Sequence, residues 1–255
     1  MRIVSITRIS LLAILITTLF SCDEKEEFVT DKASDYTLMK PGKYISYRLD
    51  SLVFTNFGRT IETHRYQVKD QVDAMITDNL GRPGYRIYRY IRDSVGVQPW
   101  QPLATFDVTV LSDQVEVLED NFRFIKMHMP LKDGFSWKGN KYLPNEPYEP
   151  AYTFSNDISI QEWDYYYDGG ASSFSYRGNN YADVFSVEEA DESFNVPITS
   201  PNSYGSRSRA IEKYSKNIGL VYREYTLWDY QPNTGGAGGP YYTGFGITMW
   251  MIDHN

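Results

Sequence analysis

The chain has 255 residues, of which 42% are hydrophobic and 16% aromatic, and its formal net charge is −8. This acidic balance argues against nucleic-acid binding, which needs clustered Lys and Arg, and against electrostatic attraction to anionic lipid headgroups. The single cysteine excludes an intramolecular disulfide, so the fold must rest on its hydrophobic core.

Residues 1–21 have the pattern of a secretory signal peptide. Arg2 and Arg8 form a short basic region, the run 9–20 lacks charge, and a small residue precedes Cys22. The apolar run is shorter than the about 20 residues that a transmembrane helix needs. Removing residues 1–21 lowers the formal charge from −8 to −10, because two arginines leave with them.

The end of this segment resembles a bacterial lipobox. Leu19, Ser21 and Cys22 match that motif, whereas Phe20 is bulkier than its usual residue. The resemblance implies that Cys22 is diacylated on sulfur, becomes the new N-terminus and is then acylated on its amine. An incidental thiol in an ordinary signal peptide is the alternative. Two or three acyl chains would hold the protein on a membrane almost irreversibly.

Residues 22–35 predict an acylated cysteine followed by an acidic, flexible tether, because they hold few bulky apolar groups. The acidic residues at 23–27 resemble an export signal that sends some Gram-negative lipoproteins to the outer face of the outer membrane. A different rule, in which Asp directly after Cys retains a lipoprotein in the inner membrane, and a simple solvated spacer are the alternatives. We expect a surface-exposed protein of the cell envelope, anchored to the outer membrane by lipid.

From residue 36 to residue 255 the sequence predicts one β-rich domain. Short runs of strand-forming residues alternate with turn signals, and Phe106, Val108 and Val110 fall on one face of such a run. Hairpins are expected at 56–58 and 119–121. The expected strands in this half are 44–54, 60–72, 75–77, 85–92, 106–110, 114–118 and 122–129.

Two breaks interrupt the second half. Residues 139–152 contain three prolines and predict a long surface loop, and residues 197–208, rich in Ser, Asn and Pro, predict a second loop. The expected strands around them are 153–160, 172–177, 181–187, 211–215, 220–230 and 241–252. The whole pattern predicts an all-β, mainly antiparallel fold: a sandwich, half-barrel or barrel of short strands with long Pro- and Gly-rich loops.

Several segments resemble a group of uncharacterised exported lipoproteins that carry the same anchor. The matching segments are 119–126, 130–140, 217–224, 244–246 and 251–255. The resemblance covers about half of the mature chain and brings no catalytic residue with it.

The usual catalytic motifs are missing or incomplete. The segment 134–138 lacks the second Gly of a nucleophile elbow. His64, His128 and His254 are scattered, so no local zinc motif is present. The glycines at 235–239 precede a strand-like segment rather than a helix, which favours a hairpin loop over a phosphate-binding loop. We therefore expect no metal, no cofactor and no enzymatic activity.

The segment 162–170 combines carboxylates with aromatic rings. Trp163 and Tyr166 could stack on sugar faces, while Asp164 and Asp168 could accept hydroxyl groups or bind Ca²⁺. The simpler interpretation is a strand with alternating buried aromatic residues that ends in a Gly-Gly turn. Glycoside hydrolysis would need two carboxylates about 5–10 Å apart across a cleft.

The segment 222–230 alternates aromatic and polar residues. Trp228 is its candidate ligand-binding residue, although a strand with rings on both faces more often packs than binds. One face holds Tyr222, Glu224, Thr226, Trp228 and Tyr230, and the other holds Arg223, Tyr225, Leu227 and Asp229.

These observations favour a structural or ligand-binding surface module whose ligand is a glycan or a peptide. The alternative is a periplasm-facing chaperone for lipid or protein, with an open half-barrel as an apolar trough. The two differ in the concave face, which is continuous and apolar in the chaperone. A glycan site instead needs exposed Tyr or Trp beside carboxylates. A glycoside hydrolase is a third, weaker alternative.

Overall fold

The computed structural model describes residues 31–37, 39–154, 159–233, 235 and 238–255. Cys22 and the acidic residues at 23–27 lie outside the described residues, so the predictions for them remain predictions. In the described part of the chain, no helix has the length and apolar character needed to cross a membrane.

Antiparallel strands account for most of the described unit, Asp31–Asn255. Two 3₁₀ helices, Ala33–Tyr36 and Ile160–Glu162, are described beside them. The strands are β1 (Tyr44–Thr55), β2 (Thr60–Thr77), β3 (Pro83–Asp93), β4 (Gln101–Val110), β5 (Gln114–Glu119), β6 (Phe122–His128), β7 (Ser136–Lys138), β8 (Asp164–Tyr167), β9 (Ser172–Tyr176), β10 (Asn179–Phe194), β11 (Gly205–Ser215), β12 (Gly219–Gln231) and β13 (Tyr241–His254).

The strands form one sheet in which chain neighbours are mostly sheet neighbours. Its order is β6-β5-β4-β3-β2-β1-β13-β12-β11-β10-β8-β7, and β9 pairs with β10 outside this path. Pairing of β1 with β13 joins the two halves of the chain, with Leu49 opposite Met249. All described pairings are antiparallel, which confirms the predicted all-β class.

The two ends of the sheet meet, so that the sheet curls into a nearly closed barrel. The Ile125 N–H in β6 donates to the carbonyl of Gly139, just after β7, at 2.8 Å. The Trp137 indole N–H donates to the Ile125 carbonyl, also at 2.8 Å. The Tyr167 hydroxyl adds a third bond across this seam, to the His128 carbonyl. Most of the edge that an open sheet would expose is therefore covered.

Strand direction gives the barrel two distinct ends. The tips of the β1–β2, β3–β4 and β5–β6 hairpins lie at one end, which we call the mouth end. At the other, plugged end, the 3₁₀ helix Ala33–Tyr36 closes the barrel: Tyr36 is fully buried and its ring meets Phe185 edge to face at 5.2 Å. The interior beside this plug is apolar, with Ile87, Val108 and Val115 among its buried residues.

Turn chemistry explains the hairpins that the sequence predicts. Asp120 and Asn121 both have positive φ, 53° and 64°, between β5 and β6. Two consecutive positive φ values match the type I′ turn that short hairpins favour, and Asp and Asn tolerate this region better than most residues.

The rings on both faces of β12 have different partners. Tyr225 and Leu227 face the barrel interior, whereas Tyr222 lies on the outer face under the β9–β10 hairpin, with its ring 4.9 Å from that of Tyr176. Trp250 completes this outer cluster at 5.4 Å from Tyr176. The rings on both faces of β12 therefore have packing partners, and whether they also bind a ligand stays a prediction.

Four expectations about elements need correction. The loop predicted at 197–208 ends at residue 204, because residues 205–208 already pair with β12 as the start of β11. Segments 60–72 and 75–77 form one strand, β2, because a bulge after Val72 absorbs the irregular spacing. Segment 153–160 is not a strand over its described residues, since Phe154 packs beside Tyr152 instead of pairing with a neighbouring strand. Segment 139–152 is a loop, as expected, but it is not confined to the surface.

The seam of the barrel leaves no room for a side chain at Gly139. A Cβ there would lie 2.3 Å from the Tyr165 ring, which is fully buried. We expect Gly139→Ala to lower the free energy of unfolding by about 1–3 kcal/mol, because neither backbone nor ring can move freely. Gly170→Ala is the matched control, since it meets nothing within 4 Å, and should change stability by under about 1 kcal/mol. Equal urea denaturation midpoints for the two variants would contradict the tight seam.

Candidate functional site

A belt of charged side chains crosses the barrel interior. Its members come from seven strands and face inward together, between the apolar plugged end and the mouth end. This charged belt consists of Asp70, Arg89, Glu119, Lys126, Glu189, Glu212 and Arg223. Because buried charges are stable only when paired, its geometry decides what the interior can bind.

Arg89 anchors one side of the belt. Its Nε and Nη2 donate to the two oxygens of Asp70, directly opposite on β2, at 2.7 and 2.8 Å. Its Nη1 donates to Glu119 at the end of β5. This bidentate arrangement fixes the guanidinium plane, as a rigid fork of donors on a carboxylate does.

Arg223 anchors the other side. Its Nε donates to Oε1 of Glu212, its register partner on β11, at 2.6 Å, and its Nη1 lies 3.4 Å from Glu119. The Tyr214 hydroxyl donates to the second oxygen of Glu212. Glu119 thus bridges Arg89 and Arg223, which joins the two sides of the belt.

The third cation, Lys126, joins strands that are distant in the sheet. Its Nζ donates to Oε1 of Glu189 at 2.8 Å and lies 3.3 Å from Oε1 of Glu212. Lys126 and Glu189 are each the extra residue of a β-bulge, in β6 and β10 respectively. A bulge changes the direction of a side chain, and here the two bulges direct opposite charges toward each other.

The buried carboxylates of the belt differ in the direction in which their pKa values are shifted. Burial opposes ionisation of Glu119, but Arg89 and Arg223 lower its pKa to about 2. Burial likewise opposes ionisation of Glu212, and Arg223 and Lys126 outweigh it, so its pKa is also lowered. Burial raises the pKa of Glu189, and the negative charge of Glu212 raises it further. Lys126 lowers this pKa but does not outweigh the burial.

A cavity of about 330 Å³ lies between the belt and the mouth end. We call it the upper cavity; its volume falls in the usual range of small-ligand pockets. Its floor is the belt, and its walls carry the rings of Phe122, Phe124, Tyr148, Tyr152, Tyr225 and Phe245. On the plugged side of the belt a second, smaller cavity of about 90 Å³ is lined mainly by aliphatic and aromatic side chains.

The loop 139–152 forms part of the upper cavity wall. Tyr148 lies among Phe122, Tyr225 and Phe245, with ring centroids 6.1, 6.2 and 5.3 Å away. Its hydroxyl is 2.9 Å from that of Tyr225. The Pro-rich loop therefore folds over the mouth end instead of extending into solvent.

We expect Tyr148→Phe and Tyr225→Phe each to cost about 1 kcal/mol of unfolding free energy, because each leaves one buried hydroxyl without its partner. The double variant should cost less than the sum, since both changes remove the same bond. Urea denaturation of the two single variants and the double variant measures this coupling. Tyr142→Phe, at a half-exposed position of the same loop, is the control. Strict additivity would mean that the hydroxyl pair does not hold the loop.

The histidines and acidic residues show no metal-binding arrangement in the described ranges. Among those residues, no group of three or more His, Cys, Asp or Glu could hold an ion. His64 lies in β2, 2.9 Å from Glu62, and His128 ends β6 with Nδ1 2.7 Å from the Met129 carbonyl.

No family model matches the chain, and no curated protein matches its sequence. Its function must therefore be inferred from the geometry of the interior.

The structure separates the residues that the sequence proposes as ligand contacts. Trp163 does not line the upper cavity but packs beside its wall, with its ring 6.4 Å from that of Tyr225. Asp164 is exposed and 3.1 Å from Lys138, and Asp168 is exposed after β8. Tyr166 faces outward and donates to Glu188 at 2.6 Å.

Trp228 lies elsewhere, on the outer face of β12. Its ring meets that of Tyr242 at 5.4 Å, and its register partner is Arg207 on β11. Glu212 on β11 lies level with the end of β8 across the sheet. Arg207 is five residues away from Glu212 along β11, a distance of about 16 Å. Trp228 therefore does not join Trp163, Asp164, Tyr166 and Asp168 in one site.

Sequence reasoning missed the charged belt. One signal was present: Glu119 continues the alternation of Val115 and Val117, which predicts that its carboxylate faces the core. The alternation along β12 also places Arg223 on the face of Tyr225, but it does not indicate that this face is buried. For Lys126 and Glu189 no such signal exists, because bulges break the alternation at both positions.

Proposed function

We propose that this chain is a lipid-anchored, surface-exposed protein of the cell envelope that binds a ligand in the upper cavity and catalyses no reaction. The observation that carries the binding function is the cavity itself: about 330 Å³ with six aromatic rings around a charged floor. The lipobox-like residues Leu19, Ser21 and Cys22 support the anchor. The acidic residues at 23–27 support surface exposure.

Binding is favoured over hydrolysis because cations occupy the gaps between the carboxylates. Lys126 lies between Glu189 and Glu212, and Arg223 lies between Glu212 and Glu119. A glycosidase needs the space between its two carboxylates for the scissile bond and, in inverting enzymes, a water. The belt leaves no such space between these pairs.

The same belt argues against the lipid-chaperone alternative. An apolar trough must be continuous along the concave face, whereas three cations and four carboxylates cross this one. Aromatic walls combined with a few charged groups instead suit a glycan or a peptide side chain, which presents an apolar surface and a polar end.

The anchor and its location are tested by protease digestion of intact cells that express the full chain. We expect the wild-type protein to be digested from outside, and Cys22→Ala to be released from the membrane fraction. Neutralising Asp23, Glu24, Glu26 and Glu27 should protect the protein from the protease. Protection of the wild type in intact cells, with digestion only after lysis, would overturn the surface location.

Ligand binding is tested with the full chain, purified in detergent, on glycan and peptide arrays. Ile247→Trp fills the upper cavity, because Ile247 lines it, and should abolish the captured signal. Thr248→Trp is the matched control: Thr248 is the next residue of β13 and faces outward, opposite Glu224. Equal capture by the two variants would mean that the ligand does not bind in the upper cavity. Absence of capture by the wild type would overturn the binding function for these ligand classes.

A further inference from the structure

The upper cavity carries more negative than positive groups. Three cations line it, Arg89, Lys126 and Arg223, and each already contacts two carboxylates. Four carboxylates line the same cavity, Glu119, Asp120, Glu189 and Glu212, whereas the Glu224 carboxylate is on the outer face and accepts from the Tyr222 hydroxyl. The belt therefore has no unpaired cation to offer an anionic ligand, whereas its carboxylates outnumber its cations.

The excess is concentrated at Glu189. This residue is only 4% exposed, and the cation that contacts it, Lys126, is shared with Glu212. Glu212 also contacts Arg223, whereas Lys126 is the one cation that contacts Glu189 among the described residues. A second cation placed in the cavity would complete the pairing, which a buried carboxylate requires to remain ionised.

The floor of the cavity already accommodates an ammonium group. The Nζ of Lys126 lies 4.8 Å from the ring centre of Phe124 and 5.4 Å from that of Tyr165. Aromatic faces attract cations at such distances, more strongly when water is excluded. Side chains of this type therefore suit a cation beside Glu189.

The upper wall repeats this chemistry nearer the mouth. The rings of Tyr148, Tyr225 and Phe245 meet one another steeply inclined, with centroid distances of 5.3, 5.7 and 6.2 Å. This wall presents ring faces and edges to a ligand in the cavity, and Ile247 lies beside it. An alkyl chain can pack on this wall while its charged end reaches the belt.

We propose that the upper cavity binds an alkylammonium group, such as the side chain of a lysine in a peptide, with the ammonium paired to Glu189 and the carbon chain packed on the aromatic wall. This inference rests on the proposed ligand-binding function and names the class of ligand. It selects the peptide over a neutral glycan, because the wall offers ring surface and Glu189 offers a charge.

The inference predicts a pH dependence. Glu189 faces Lys126 from β6, Glu212 from β11 and Tyr165 from β8, and Arg223 lies beyond Glu212. Because burial raises the pKa of Glu189, protonation of its carboxylate competes with pairing to an ammonium. Binding should therefore be weakest in acid and become tighter as the pH rises through the range in which Glu189 loses its proton.

The test uses three probes of equal carbon number but different charge: n-butylammonium, n-butanol and n-butyrate. Each is titrated into the full-length protein in detergent, at constant ionic strength, and Kd is measured by ligand-observed NMR. We expect butylammonium to bind about tenfold or more tightly than butanol, since a charge-assisted bond contributes that much, and butyrate to bind weakest of the three.

Two matched variants assign the site. Glu189→Gln keeps the shape and should weaken butylammonium binding about tenfold while leaving butanol binding unchanged. Glu192→Gln changes an exposed carboxylate of the same strand and should bind like the wild type. Near-ultraviolet circular dichroism checks that both variants keep the native packing.

The outcomes separate this inference from the proposed function. Equal binding of butanol and butylammonium, or full binding by Glu189→Gln, would overturn the cation site while leaving the cavity as a ligand pocket. Tighter binding of butyrate than of butylammonium would overturn the cation site and indicate an anion site instead. Absence of binding by all three probes would also overturn the cation site. In that case, array capture that is lost in Ile247→Trp would still support ligand binding by the cavity.

Discussion

We expect Arg223→Met to lower the free energy of unfolding by about 3–5 kcal/mol, the largest effect of any single change considered for this chain. Arg223 is the cation that bonds Glu212 and also contacts Glu119, and its side chain is only 12% exposed. Methionine fills a similar volume, so the loss comes from the charge. Glu212 and Glu119 would each lose one of two cationic partners in an environment that hydrates them poorly.

The control is an arginine–carboxylate pair outside the barrel. Arg86 donates to Asp73 between neighbouring strands, but the two side chains are 42% and 30% exposed. Arg86→Met should cost under about 1 kcal/mol, because water replaces the lost partner. Urea denaturation followed by tryptophan fluorescence measures both variants. A similar loss for both would mean that the belt contributes no more than a surface ion pair.

We expect the barrel to lose stability in acid, with Glu119 as one measurable contributor beside Glu212, whose pKa is also lowered. The pKa of Glu119 in the folded protein is about 2, below the ordinary value of 4.5, because Arg89 and Arg223 outweigh its burial. The unfolded chain therefore takes up this proton first as the pH falls. The stabilising contribution is complete above about pH 5 and is lost between about pH 5 and pH 2, on the order of 3 kcal/mol in total.

Glu119→Gln isolates this contribution. The variant should be less stable than the wild type at pH 6, and the difference should shrink as the pH falls toward 2. The comparison is needed because Glu189, with its raised pKa, acts in the opposite direction. Glu192→Gln, exposed at the end of β10, should keep the wild-type dependence. A carboxyl titration by ¹³C NMR gives a second measure, and an ordinary pKa for Glu119 would refute the argument.

Local rules predict the strands and hairpins well. Positive-φ residues stand where turns were expected, as at Asp120 and Asn121, and the alternation of Phe106 and Val108 places both in the core. Such features depend on residues within a few positions of one another. The all-β class follows from them directly, but the choice of a barrel does not, because closure depends on bonds between residues distant in sequence, such as those from Ile125 to Gly139 and from Tyr167 to His128.

The candidate site could not be predicted in the same way. Lys126 and Glu189 meet only because two bulges redirect them, and a single sequence carries no clear signal for a bulge. Tyr148 lies in a Pro-rich loop whose composition indicates exposure, yet its ring lies among aromatic residues from distant strands. Long-range contacts decide both cases.

The charged belt also bears on how a sheet of thirteen strands finds one alignment. A slip of β12 by one residue against β11 would turn Arg223 toward solvent and bring Tyr222 and Glu224 inside, since side chains alternate with a period of two. Glu212 would then lie opposite Glu224 or Tyr222, depending on the direction of the slip, and would lose its guanidinium partner in either case. Apolar residues alone tolerate many such misalignments, whereas paired charges penalise them. The belt thus stabilises the native strand register relative to registers shifted by one residue.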